Sequence, residues 1–325
     1  MRRSNLLVLL ILLPLFGMAQ FAPRDNWPGT TAIPGDSSLF VNWGTGVEVL
    51  RGPTDIRKTQ LGLVTVGLPE MALGYPDGQA VSLGDGGTAV ITFDPPIVNG
   101  PGADFAVFEN GFHIRQESDS DFLELAFVEV SSNGLTWMRF ASQSDNDTSA
   151  QMRTFDGSRA TKVHNLAGKY VGNFGTPFDL EELNDSLGID VMDIRYVRVR
   201  DVVGSLNDSF ATYDSRGHKI NDPFPTPFQQ GGFDLDAIGV IYNQHSPNGI
   251  DEFSSFIPYP NPVRAGQTIH LSDKETALGW TLYAVNGKKI TEGNNPSPVL
   301  NLLPGCYMME VNTGEKRNYF RLIVQ

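Results

Sequence analysis

The chain has 325 residues, with 24 Lys and Arg against 37 Asp and Glu, and a net charge of −13. Nothing basic is clustered enough to hold a phosphate backbone, which excludes a nucleic-acid partner. With 40% apolar and 19% charged residues, 34 Gly and 21 Pro, the composition predicts a turn-rich, all-β protein long enough for two domains.

The N-terminus, "MRRSNLLVLLILLPLFGMAQ", sets Arg2 and Arg3 before an apolar run from Leu6 to Phe16, followed by Gly17-Met18-Ala19. The run is too short to span a bilayer and a small-x-small pattern precedes Gln20. Residues 1–19 therefore read as a cleaved signal peptide, implying passage through the periplasm and no transmembrane segment in the mature protein. Cys306 is the sole cysteine, so an intrachain disulfide and Cys-based zinc sites are excluded.

Strand signals follow. "AVSLGDGGTAVITFDPPIV" reads as strand, Gly-rich turn, strand and a Pro-Pro stop at 95–96; "ADFAVFENGF" reads as a strand closed by Asn110-Gly111. "FLELAFVEVSSNGLTWMRFAS" predicts a hairpin, Phe122 to Val130 and Thr136 to Ala141, turning at Ser132-Asn133-Gly134. "PFDLEELNDSLGID" predicts a helix of about two turns, capped by Asp179, with Glu182 three residues on and Gly188 ending it. "IRYVRVRDVV" is another strand. The stretch 213–232, rich in Pro, Asp, Asn and Gly, predicts a long irregular loop of the kind that carries function. The expected organisation is a jelly-roll-like β-sandwich over 20–245, a linker over 246–258 and a small β-sandwich over 259–325.

The search for chemistry returns little. His113, His164, His218, His245 and His270 form no H-E-x-x-H or other metal spacing, and G-x-S-x-G, P-loop and dinucleotide motifs are absent. No cofactor other than a cation is expected, and the chain reads as non-enzymatic. Glycan hydrolysis by a carboxylate pair stays as an alternative, since separations are not legible in a sequence. So does a purely structural surface role.

One strand poses a question. In "GGFDLDAIGVI", Asp234 and Asp236 precede Ile238 and Val240, and two-residue spacing would put all four on one face. A carboxylate at the margin of a core must be compensated, by a cation or by loop N–H groups. Calcium is the expected cation, with Asp234, Asp236, Asp104 and Glu109 as ligands and Asp208, Asp214 and Asp222 as further donors. Tyr213, Phe224 and Phe228, with Asn110 of the "ENGF" turn, are the expected ligand-binding residues; Phe233 and Trp137 are further aromatic candidates.

Two resemblances add to this reading. "YPNPV" at 259–263, "TLYAVNGKKI" at 281–290, "LNLLPGCYMMEV" at 300–311 and "RNYFRLIV" at 317–324 resemble the type A C-terminal sorting domain of the type IX secretion system of Bacteroidota. The usual turn pattern is altered at Val285-Asn286-Gly287, and the chain ends in Gln. This resemblance implies the type IX machinery as a partner and export to the cell surface or the extracellular space. "VSLGDGGTAVITFDPPIVNGPGADFAVFENGF", "FVEVSSNGLTWMRF", "LAGKY" and "DPFPTPFQQGGFDLDAIGVI" resemble a family of bacterial cell-surface proteins. More distantly, they are similar to surface proteins of corrinoid-uptake loci, which implies a corrinoid as ligand; the hairpin and the acidic last strand are also similar to jelly-roll carbohydrate-binding modules, and the aromatic candidates would stack on a surface glycan or a corrin ring.

Overall fold

The computed structural model describes residues 21–115, 119–184, 186–244, 260–270, 279–284, 288–294, 297–312 and 317–325. The signal peptide read over 1–19 and the linker read over 246–258 lie outside them. The chain divides into two compact units, Met1–Ser246 and Pro247–Gln325. No helix among the described residues is long and apolar enough to cross a membrane.

The first unit is a sandwich of two antiparallel sheets. One sheet runs β1 (Ile33–Pro34), β13 (Phe174–Phe178), β6 (Phe105–Glu109), β15 (Asp234–Val240) and β2 (Asn42–Trp43), with β4 (Val81–Ser82) also paired to β15. The other runs β10 (Met138–Arg139), β9 (Ala126–Ser131), β14 (Ile194–Asp201), β5 (Thr88–Ile97) and β3 (Gly46–Leu50). Two short ladders, β7 (Phe112–His113) with β8 (Asp121–Phe122) and β11 (Gln143–Ser144) with β12 (Val163–His164), tie connecting loops together.

Alternation explains the sandwich. Along β5, Ala89, Ile91 and Phe93 enter the core; along β9, Ala126, Val128 and Val130 do; along β14, Val197 and Val199. They meet Phe105 and Val107 of β6 and Ile238 and Val240 of β15. Each large side chain buried in this way contributes about 1.5–3 kcal/mol. On the opposite face of the second sheet, Glu129 stands in register between Arg139 and Arg198 and pairs with both, at 2.8 and 2.5 Å. Arg198 in turn covers the Trp137 ring at 4.2 Å, so Trp137 belongs to this charged ladder.

The predicted hairpin is shorter than its apolar run. Its ladder pairs Met138 with Val130 and Arg139 with Glu129. The turn is closed by Ser131 Oγ and Asn133 Oδ1, which accept the N–H groups of Gly134, Leu135 and Thr136 at 2.8–2.9 Å. Residues 123–125 leave the ladder, and Leu123 and Leu125 enter a second core with Val163, Leu166 and Ile220. The predicted two-turn helix is one 3-10 turn, Leu180–Leu183. Asp179 caps it by accepting the N–H of Glu181 at 2.9 Å. Leu180 and Leu183, three apart, bury together, a spacing that suits the tighter turn.

Among the described residues, the second unit holds a four-stranded antiparallel sheet, β17 (Lys289–Gly293), β16 (Gly279–Ala284), β18 (Gly305–Asn312) and β19 (Arg317–Val324), in that order. Its core gathers Trp280, Leu282, Met309, Val311, Leu322 and Val324 against Val263 and Ile269. Isolated bridges join Thr268 to Val299 and Val263 to Val324.

Candidate functional site

The strand that raised the question carries a bulge. Leu235 stands opposite Glu109, but Ala237 stands opposite Phe108, so one extra residue sits between them on β15. Leu235 therefore points into the main core together with Ile238 and Val240, while Ala237 joins Ala106 and Phe108 on the other side. Asp234 and Asp236, which flank Leu235, project away from the core. The expectation that Ile238 and Val240 continue the carboxylate face is thus corrected: the bulge switches the alternation between them.

The two carboxylates have different partners. Asp236 accepts the N–H groups of Asp77 and Gly78 at 3.3 and 3.0 Å. The compensating loop is the 77–78 turn rather than 213–232. Burial pushes the Asp236 carboxyl up to about 6, against the pull of those two N–H groups. Asp234 lies opposite Ser82 on β4. Burial pushes it up to about 6 as well, with the Ser82 hydroxyl, the Asn110 amide and the Arg51 charge drawing it back.

Asp234 opens onto a cleft of about 490 Å³. The end of the 213–232 loop contributes Thr226, Phe228 and Gln230; the "ENGF" turn contributes Asn110, Gly111 and Phe112; and Ser82, Glu124 and Phe155 complete the polar and aromatic lining. Gly111 is required there: a Cβ would sit 2.5 Å from Glu109 Oε2 and 2.7 Å from the Phe122 carbonyl oxygen. Gly232, at φ +71°, turns the loop into β15, where the N–H of Phe233 is held by buried Asp201 at 2.7 Å.

One wall is a run of phenyl rings. Phe112 stacks on Phe122 (centroids 5.0 Å, planes at 16°), Phe122 meets Phe155 at 6.2 Å, and Phe155 stacks on Phe228 (5.9 Å, 23°). The floor is acidic. Burial holds Glu109 and Glu124 well above the usual carboxylate range, and the charge of Asp234 raises both further. Burial likewise raises Asp222, whose Oδ2 accepts the N–H of Leu125 at 3.0 Å.

The structure thus brings Asp234, Asn110 and Phe228 to one cleft and sets Glu109 behind its floor. It leaves the other sequence candidates elsewhere. Asp104 lies five residues before Glu109, about 17 Å along the chain at 3.3 Å per residue. There it accepts the N–H groups of Gly100 and Leu180 at 2.7 and 2.6 Å, with burial raising its carboxyl to about 7. The expected four-residue calcium shell of Asp234, Asp236, Asp104 and Glu109 is therefore not one site. Tyr213 is exposed beside Lys219, and Phe224 is buried with the Arg57 guanidinium 4.9 Å above its ring. Asp214 is committed to the N–H groups of Ser144, Arg216 and His218, and Asp208 to Lys219 at 2.7 Å.

Sequence reasoning missed Glu124 and Phe155. The signal for Glu124 was present: a lone acid between Leu123 and Leu125 in an otherwise apolar run. Phe155, in a polar loop, carried none.

A second charged cluster joins Asp25, His113 and Asp121. His113 bridges the two aspartates, Nε2 to Asp25 at 3.1 Å and Nδ1 to Asp121 at 2.9 Å. Arg24 lies among them, hydrogen-bonded to His113 and 3.4 Å from Asp121. The protein here supplies its own cation.

Comparison with known proteins bears on the second unit. Residues 258–325 match the family of secretion system C-terminal sorting domains. The C-terminal unit is a type IX sorting domain. Its presence directs the protein out of the cell, to the surface or the medium, and makes the type IX machinery its partner. The first unit gains no such support: no curated protein matches the chain, and the likeness to bacterial cell-surface proteins stays without a match. Among solved structures, two of Ruminococcus gnavus β-glucuronidase align at TM-scores of 0.21 and 0.20, with 11% and 12% identity. They cover 86% and 88% of this chain and 44% and 43% of theirs. Lactobacillus rhamnosus β-glucuronidase aligns at 0.18, with 11% identity, over 87% of this chain and 45% of its own. The chain spans less than half the length of these enzymes, and scores this low carry no argument.

Proposed function

We propose that the exported protein is a non-enzymatic glycan-binding module, with the cleft at the end of β15 as its site. The observation that supports this reading is the phenyl wall. Phe112, Phe155 and Phe228 are 52%, 68% and 42% exposed and line the same cleft. Large aromatics normally bury, and exposed ones gathered along a concave surface mark a binding site. A sugar ring offers them its C–H face, while Asn110, Gln230 and the floor carboxyls address its hydroxyls. The cleft volume falls in the small-ligand range, which suits one or two sugar rings better than a corrin macrocycle.

The test is a glycan array with the exported chain, carrying a corrinoid arm, followed by Phe155→Ala and Phe228→Ala. Binding that is lost in both variants while the unfolding temperature holds supports the reading. Glycan binding indifferent to both variants overturns it. A corrinoid hit alone would change the ligand class.

Hydrolysis has one observation in its favour. Glu124 and Asp234 line one cleft, the two carboxyls that an acid and a base would need, and burial raises both. Release of shorter products from a bound glycan, lost in Glu124→Gln, would establish it.

A further inference from the structure

The inference rests on the glycan-binding reading and narrows its ligand. Asp234 lines the cleft and is 7% exposed; the Ser82 hydroxyl and the Asn110 amide draw on its carboxyl, while its Oδ1 is buried without a hydrogen bond. Behind it, Glu109 and Asp222 are 0% and 3% exposed; only the Gly111 N–H draws on the Glu109 carboxyl, and Oδ1 of Asp222 is unpartnered. Glu124 adds a fourth carboxyl at the cleft wall. Buried acids of this kind either hold a proton or meet a cation. Arg51, whose charge acts on Asp234, does not pair with it; its guanidinium donates to the carbonyls of Val66, Gly67 and Ser82.

The phenyl wall stands beside these acids. A phenyl face attracts a cation as well as a sugar ring. We infer that the cleft takes an amino sugar with a free ammonium group, the ammonium held by Glu124 and Asp234 and the ring laid along Phe112, Phe155 and Phe228.

The number of converging acids favours an ammonium over a bare divalent ion. Calcium draws its oxygens to about 2.3–2.6 Å from one centre, so they must converge. No three of the cleft acids bring oxygens within 4.8 Å of one another; among the described residues only Asp25, His113 and Asp121 do so. An ammonium is served by two acceptors at about 2.7–2.9 Å from its nitrogen, fewer than a calcium shell, with the sugar ring lying beside them.

The experiment is calorimetric titration of the full chain at pH 7 with β-1,4-linked trimers of glucosamine, N-acetylglucosamine and glucose. The glucosamine trimer is expected to bind at least about tenfold tighter than the other two. Glu124→Gln should erase that preference, bringing the glucosamine trimer to within about twofold of the N-acetylated trimer measured on the same variant. Asp234→Asn, likewise isosteric, makes the same test should Glu124→Gln not fold. Equal affinity for all three trimers, lost in Phe155→Ala, would overturn this inference while sparing the glycan reading. Binding of none of them, with other array glycans bound, would also overturn it. No binding of any glycan would remove the reading beneath it. Calcium alone raising the unfolding temperature through Glu124 and Asp234, with sugars indifferent to charge, would assign the acids to a metal and overturn it too.

Discussion

The carboxylate of Asp236 accepts the amide hydrogen of Gly78 at 3.0 Å. That bond, with a longer one from Asp77, fastens a surface turn to the bulge of β15 and leaves Asp236 with no need of a cation. Its removal by Asp236→Ala is expected to cost about 1–3 kcal/mol, because partly buried N–H groups lose their acceptor. Urea unfolding measures it, and the loss should be the same with and without chelator. A chelator-dependent loss would return calcium to this position.

Stability should depend on pH in an unusual direction. Asp85, Asp234 and Asp236 are raised to about 6, Asp104 and Asp201 to about 7, and Glu109, Glu124 and Asp222 well above the usual carboxylate range, all chiefly by burial. A carboxyl raised in the folded state binds more protons there than when unfolded. Its contribution is therefore complete below the ordinary carboxylate range and is lost as pH rises through the folded value. The ligand-free protein should lose unfolding temperature between about pH 4 and 7. Glu109→Gln, which removes a fully buried ionisable group, should flatten the profile and gain relative to wild type as pH rises. A variant that tracks wild type at every pH would contradict this.

The Glu129 ladder offers a test of charge on the opposite face. Its carboxylate serves Arg139 and Arg198 at once. Glu129→Gln should destabilise by about 1 kcal/mol, since partly exposed pairs in a network contribute little each. The same change should leave every ligand affinity untouched, which titration would check.

Removal of residues 258–325 should stop export. The folded first unit is expected to accumulate in the periplasmic fraction, read by fractionation and surface protease accessibility. Surface display of the truncated protein would contradict the role of the sorting domain.

Much of this architecture was legible in residue order. Alternating Ala89, Ile91 and Phe93, the Ser-Asn-Gly turn at 132–134 and the four blocks of the sorting domain are local patterns, and local sterics and side-chain period decide them. The pair Asp234 and Asp236 was also visible, as was their need for compensation. What compensates them was not. The bulge that turns Ile238 and Val240 away from the carboxylates arises from pairing with β6, and a register is a property of two strands. Glu124 and Phe155 reach the cleft from segments remote in sequence from β15. A polar residue's burial and a phenyl ring's exposure depend on what packs beside them, which only the closed sandwich decides. The sequence alone determined an exported, all-β chain with acids to compensate; the tertiary structure decided which acids share a cleft, because that depends on contacts between distant segments.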